Sequence, residues 1–160
     1  MGWLIAFAVM GFMLAPIMWI LPSRRQSQQV LVRAAAREAG LTVKVAVMPK
    51  TRRSRIRREE EVFGVCYLRS IHNKVSLSAW KYWLVDIPEG DDDSIAPSAE
   101  LINIIESCRD KFPRDSTMLE FTAIGLQLFW RERDATVETV DAVAEGLNQI
   151  ITQGELDRGK

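Results

Sequence analysis

Few residues in this chain are of types that do chemistry, and they stand far apart in sequence. His72 is the one histidine, and Cys66 and Cys108 are the two cysteines. A zinc site needs four suitable ligands, which a lone histidine without neighbouring cysteines does not provide. A serine hydrolase would be expected to show a Gly-x-Ser-x-Gly elbow, which the chain lacks. The sequence therefore predicts no catalytic, cofactor-binding or metal-ligating residue.

The densest acidic run is Asp91, Asp92 and Asp93. A calcium-binding EF-hand loop needs acids at alternate positions and a distal glutamate, which three adjacent aspartates do not supply. Neither Gly-x-x-x-x-Gly-Lys nor Gly-x-Gly-x-x-Gly occurs in the chain, so no phosphate-binding motif indicates nucleotide binding. We interpret the three aspartates as a solvated loop.

The strongest candidate for a binding surface is a run of cations, called the basic loop below. It consists of Lys50, Arg52, Arg53, Arg55, Arg57 and Arg58. Contact with anionic lipid headgroups and docking onto an acidic protein both fit such a run. Nucleic acid is the least favoured partner, because no aromatic residue is interleaved for base stacking. The five arginines are the predicted contact residues for an anionic surface or partner.

An apolar segment precedes everything else in the chain. Residues 1–23 carry no charged side chain, and Trp3 to Leu21 would form a helix about 28 Å long, close to the hydrocarbon thickness of a bilayer. Trp3 and Trp19 stand near its ends, where indoles favour the membrane interface. Arginines follow the segment and nothing basic precedes it, which favours a retained anchor over a cleaved signal peptide.

Charge sets the expected orientation. Arg24 and Arg25 follow the apolar segment directly, and basic flanks favour the cytoplasmic side of a membrane. The sequence predicts a periplasmic N-terminus and a cytoplasmic domain in a bacterial inner membrane, where Cys66 and Cys108 would be reduced and buried. Gly11 and Ala15, four residues apart, would allow close approach of a second membrane helix.

The rest of the chain reads as one small domain. An alanine-rich helix over residues 27–39 ends at Gly40, and valines alternate in a strand from Thr42 to Met48. Further strands are predicted over Val62–Ile71, Ser78–Ile87, Met118–Ala123 and Leu126–Arg131, with amphipathic helices over 101–112 and 137–151. Because both faces of Ser78–Ile87 are apolar, it is predicted to be a central or doubly covered strand.

This order predicts an α+β fold, with one antiparallel sheet and helices on one face. A ferredoxin-like or a PH-like variant would fit. The expected organisation is a transmembrane anchor over 1–23, a basic juxtamembrane helix over 24–40, the domain over 41–153 and a frayed tail over 154–160.

Two stretches carry a resemblance. The segment Leu14-APIMWILPSRRQ with the following helix to Gly40-Leu41, and the later Leu126-QLFWRER before a helix, resemble an uncharacterised family of small single-pass bacterial inner-membrane proteins. That family implies no activity and no functional residue. The layout also resembles, in architecture alone, the small accessory subunit of the Sec translocase.

Together these features predict a non-enzymatic, membrane-anchored accessory or scaffold protein. Its cytoplasmic domain would bind a protein partner or another copy of itself, with the lipid bilayer as its other contact. An anchored enzyme or small-ligand module with an unrecognised site is the alternative.

Overall fold

A computed structural model describes residues 2, 3, 5, 7, 9–12, 24–72, 78–88, 90–92 and 94–157. Among these residues, no helix is both long and apolar enough to cross a membrane. Most of the predicted span lies outside them, including Ala15 and Trp19. Of its described positions, Gly11 is helical and Trp3 is helical and exposed.

Four α-helices organise the described part of the domain: α1 (Arg24–Glu38), α2 (Arg52–Ile56), α3 (Ala99–Ser107) and α4 (Val137–Gln153). The end of α1 confirms the predicted glycine cap. Gly40 adopts a φ of 78°, and the amides of Gly40 and Leu41 donate to the carbonyls of Arg37 and Ala36. This pairing satisfies the last carbonyls of the helix and turns the chain back along it.

Five strands form one antiparallel sheet, as predicted. They are β1 (Thr42–Val47), β2 (Phe63–Ser70), β3 (Trp80–Trp83), β4 (Ser116–Thr122) and β5 (Gly125–Trp130). Their order across the sheet is β1-β2-β5-β4-β3. The chain therefore does not follow the β-α-β-β-α-β order of ferredoxin-like folds, and the PH-like variant stays a prediction.

One face of the sheet carries the core. Tyr67, Leu128 and Leu119 stand side by side across three strands, and each is fully buried. Against this face pack the inward residues of the helices, among them Val32 of α1, Ile105 of α3 and Leu147 of α4. Helix α1, predicted as a segment of its own, thus contributes to the same core as the rest of the domain.

The third strand is shorter than predicted, and the prediction of a central strand was wrong, while a strand covered by a helix on one face and by a partner or membrane on the other stays a prediction. Only Trp80–Trp83 pairs, and β3 lies at the edge of the sheet beside β4. Its inner face packs on the core through Trp80, which stacks on Phe121 with ring centroids 5.8 Å apart. Trp83 on the other face is only half-buried, so apolar residues on both faces did not mean a central strand.

Both cysteines are free and buried, as the sequence predicts. Burial raises the pKa of the Cys66 thiol to about 11. At pH 8 this thiol therefore stays mostly protonated, and it is the thiolate that attacks a disulfide reagent rapidly. We expect no fast-reacting thiol in the folded protein at pH 8 and two after unfolding in guanidinium. A titration with a chromogenic disulfide reagent measures both, and rapid release of colour before unfolding would contradict the burial.

Candidate functional site

The basic loop and the first residue of α1 lie at the same end of the domain. Gln28 near the start of α1 donates to the Ala135 carbonyl, and Arg33 of α1 pairs with Glu132, so the first half of α1 lies beside the segment that follows β5. The last residue of β5, Trp130, pairs with Val65 of β2, which in turn pairs with Val45 of β1. The start of α1 and the end of β1 therefore lie at the same end of the sheet. The basic loop starts three residues after Val47. We call this the basic end, and the end with the β4–β5 turn at Ile124 the far end.

The sequence predicts a charged loop here, and the structure places the short helix α2 within it and holds it by several contacts. Thr51 caps the single turn of α2 by accepting a hydrogen bond from the Ser54 amide. Lys50 Nζ donates to the carbonyl of Glu59, 2.5 Å away, which closes the base of the loop. Met48 packs over Gly64, where a Cβ would lie 2.2 Å from its sulfur. A side chain at position 64 would displace the Met48 side chain, and its Cβ would also crowd the Trp130 carbonyl oxygen at 2.9 Å.

Asp91 anchors the basic loop from across the chain. Its carboxylate accepts a hydrogen bond from the Arg53 amide, and its carbonyl accepts one from the Arg52 amide at 3.0 Å. Hydrogen bonding from Thr51, and then from the Arg53 amide, lowers the pKa of the Asp91 carboxyl. The interpretation of all three aspartates as solvated was wrong for Asp91, which is buried. Asp92 is exposed, and its carboxylate accepts hydrogen bonds from the amide and hydroxyl of Ser94, two residues away.

Asp91 and Asp92 form a matched pair for testing this anchor. Asp91→Ala is expected to make the Arg52 and Arg53 amides exchange several-fold faster, because the loop loses its long-range restraint. Asp92→Ala should leave them unchanged. Since the pKa of Asp91 is lowered in the folded state, its contribution is present above the ordinary carboxyl value of 3.8 and is lost as pH falls below it. Residue-resolved hydrogen exchange of both variants tests this prediction. Equal exchange rates in the two variants would mean that Asp91 does not anchor the basic loop.

Held this way, the arginines project outward. Arg52, Arg53, Arg55, Arg57 and Arg58 are all exposed. In the described part of the chain, Arg52, Arg53, Arg57 and Arg58 take part in no ion pair. Ile56 stands among them with 71 % of its surface exposed, and Phe63 at the start of β2 is 67 % exposed. The basic end thus presents cations together with large apolar side chains, a combination typical of surfaces that contact membrane interfaces.

A cleft of about 370 Å³ separates the basic loop from the segment that follows β3, with Trp83 and Pro88 on its other wall. Arg131, at the end of β5, lines the same cleft and adds a further exposed cation. Sequence reasoning missed this residue, because only the sheet order brings the end of β5 to the basic end.

A buried ionic network fastens α1 to the domain just behind the basic end. Glu132 is 2 % exposed, and its carboxylate accepts hydrogen bonds from Arg33 Nη2 at 2.6 Å and from the Tyr67 hydroxyl. The hydrogen bond to Glu132 raises the pKa of Arg33, and burial followed by the same carboxylate raises that of Tyr67. Glu132 adopts a φ of 52°, a left-handed conformation that costs free energy in a glutamate. The network fixes the direction in which α1 leaves the domain.

The structure does not gather the other predicted residues into this site. His72 is exposed near the far end, with Nδ1 3.9 Å from a carboxylate oxygen of Asp157. Arg24 and Arg25 are the first two residues of α1, and their contact with a membrane interface stays a prediction. No group of three potential metal ligands occurs among the described residues.

Neither a protein-family model, nor a curated protein, nor a solved structure matches this chain. The resemblance to a family of small inner-membrane proteins therefore stays a prediction. Any assignment of function rests on the geometry of the basic end.

Proposed function

We propose that this chain is a non-enzymatic, membrane-anchored accessory or scaffold protein whose domain rests with its basic end on the bilayer. One observation carries the proposal. The exposed arginines of the basic loop lie at the end of the domain where α1 begins, directly after the apolar segment over residues 1–23. An anchor there would bring these cations to the headgroup layer.

The energetics favour anionic lipid as the first contact. Each Lys or Arg held near an anionic leaflet contributes about 1 kcal/mol. Residues 24–58 carry eleven Lys or Arg and one Glu. Residues 59–160 carry ten Lys or Arg and twenty Asp or Glu. The lipid surface would attract the first part and repel the second, which orients the domain. Ile56 would enter the interface between the arginines.

The remaining features of the proposal follow from this placement. The anchor would lie in a bacterial inner membrane, with the N-terminus in the periplasm and the domain in the cytoplasm. The far end and the sides of the domain would stay accessible for a protein partner or for a second copy, and Gly11 and Ala15 for a membrane-helix contact. A reporter active only in the periplasm should give no signal when fused after Lys160.

Liposome sedimentation of a chain beginning at Arg24 tests the lipid contact. Binding should require anionic lipid, because the five arginines supply the attraction, and it should fall steeply as salt rises above physiological strength. Replacing Arg52, Arg53, Arg55, Arg57 and Arg58 with glutamine should abolish it. Replacing the neighbouring Glu59, Glu60 and Glu61 with glutamine is the matched control and should strengthen it.

The outcomes separate the alternatives. A chain that ignores anionic liposomes but still captures an acidic protein through the basic loop would transfer the loop's role to protein docking. Liposome binding that persists after the arginine substitutions would mean that the basic loop does not mediate the lipid contact.

A further inference from the structure

Strand β1 lies at one edge of the sheet, and in the part of the chain that the structure describes no strand pairs with its outer side. The amide of Met48 donates to Val62, 2.8 Å away, at the end of the β1–β2 ladder. In an antiparallel pair the residues that bond to the neighbouring strand alternate with those that face away. With the register that pairs Val47 with Phe63, the even-numbered residues of β1 bond to β2. The N–H and C=O groups of Val43, Val45 and Val47 therefore point away from the sheet.

Among the described residues, Lys44 is the feature of β1 that would discourage pairing at this edge. Natural proteins block edges with lysine and other charges, proline, bulges or a covering loop. The opposite edge, β3, is covered in this way, since the Lys81 amide donates to the Ile95 carbonyl at 2.9 Å. On β1 the register is regular, no proline occurs, and Val45 is 68 % exposed although it lies on the helix-bearing face.

We propose that the β1 edge receives an extended segment of a partner protein as a sixth strand. Val43 to Val47 offer three N–H and three C=O groups over about 13 Å, enough for a segment of about five residues. Exposed Val45, Val47 and Phe63 call for apolar side chains at alternate positions of that segment. Lys44 on the other face favours acidic side chains between the apolar positions of the segment. The arginines beyond Val47 favour further acidic side chains after them.

A second copy of this chain is a poorer occupant. Antiparallel pairing of two β1 strands about Val45 would point the basic ends of the two domains in opposite directions. Two chains anchored through residues 1–23 in one bilayer would then be unable to place both basic ends on it. Self-pairing would also bring no acidic residue opposite Lys44. This choice of occupant rests on the proposed function, but the free edge does not.

The test uses the full chain in nanodiscs of zwitterionic lipid, which removes the lipid attraction of the basic loop. The probe is a fluorescent ten-residue peptide with valine and glutamate at alternate positions, followed by fluorescence anisotropy. We expect binding with slowed hydrogen exchange at the amides of Val43, Val45 and Val47, and no change at those of Lys44 and Ala46, which the ladder already protects. A peptide with lysine in place of glutamate should bind at least about tenfold more weakly.

Substitutions on both sides of the contact sharpen the result. Peptides N-methylated at the amides that face β1 should lose binding, whereas peptides methylated at the intervening amides should keep it. Val45→Pro removes one outward N–H and should weaken binding about tenfold, while Val45→Thr, which keeps that N–H, should weaken it about threefold. Ile124→Ser at the far end is the control and should change nothing.

Three results would overturn the proposal: no binding by any of these peptides, binding without protection at the three valine amides, or protection that grows with protein concentration in the absence of peptide. The last would assign the edge to a second copy. If the peptide protects the three valine amides but the chain does not bind anionic liposomes, only the proposed lipid contact is wrong. The two proposals can therefore fail separately.

Discussion

Replacing Leu147 with aspartate is expected to unfold the domain. Leu147 is fully buried in α4, within the core cluster that joins the helices to the sheet. An unpaired carboxyl group at that position costs several kcal/mol, against a total stability of about 5–15 kcal/mol for a domain of this size. Thermal melting followed by circular dichroism should show either no transition or a midpoint lowered by well over 10 °C.

Two further variants make that result specific. Ile104→Asp lies on a partly buried position of α3 and should destabilise less than Leu147→Asp. Asp92→Ala changes an exposed loop residue and should leave the midpoint unchanged. If all three variants melted alike, the assignment of the helix faces to the core would be wrong.

Removing the Glu132 carboxylate is expected to have the next largest effect. Glu132→Ala would leave the Arg33 guanidinium and the Tyr67 hydroxyl without their shared partner. Breaking a buried ion pair from one side costs about 3–5 kcal/mol. We expect the lower part of that range, because the Arg33 side chain keeps 30 % of its surface in solvent. Urea denaturation with fluorescence detection measures the loss.

A double-mutant cycle isolates the pair. Arg33→Met and Glu132→Gln should each destabilise the domain, and the double variant should cost less than the sum of the two. Strict additivity would mean that Arg33 and Glu132 do not stabilise the fold through each other.

Local patterns predicted those elements whose periodicity reflects packing. Helix α4 appears in the sequence because Val140, Ala144 and Leu147 recur at helical spacing, and the same residues fill the core. The strand β5 is predicted because Leu126, Leu128 and Trp130 share one face, but the sequence left open whether it forms a hairpin with β4 or continues it as one bulged strand; the structure shows the hairpin. In both cases one face of the element packs on the core, so the spacing of its apolar residues is enough to predict the element.

Local patterns failed where contacts cross the chain. Trp83 and Val85 resemble core residues of a strand, but the chain leaves the sheet after Trp83. The role of Asp91 depends on the basic loop, which precedes it by 38 residues. Glu132 meets Arg33 across 99 positions and Tyr67 across 65. Nothing in a segment of ten or fifteen residues distinguishes such a carboxylate from an exposed one.

The candidate site divides in the same way. A run of arginines is visible in the sequence, and the charge difference along the chain indicates an anionic partner. The arginines form one surface because β1 ends at the same end of the sheet at which α1 begins, and because Asp91 holds the basic loop in place. Both features depend on strand order and register, which could not be predicted from local patterns in the sequence.

The central claim is that the basic end of the domain rests on the bilayer, and a proximity measurement tests it most directly. The full chain is placed in nanodiscs that contain anionic lipid and a headgroup-borne quencher, with a fluorophore on cysteine at either Ile56 or Ile124. Quenching should be strong for the label at position 56, should disappear at high salt or with the five arginine-to-glutamine substitutions, and should stay weak at position 124. Equal quenching at both positions, or stronger quenching at 124, would contradict the account.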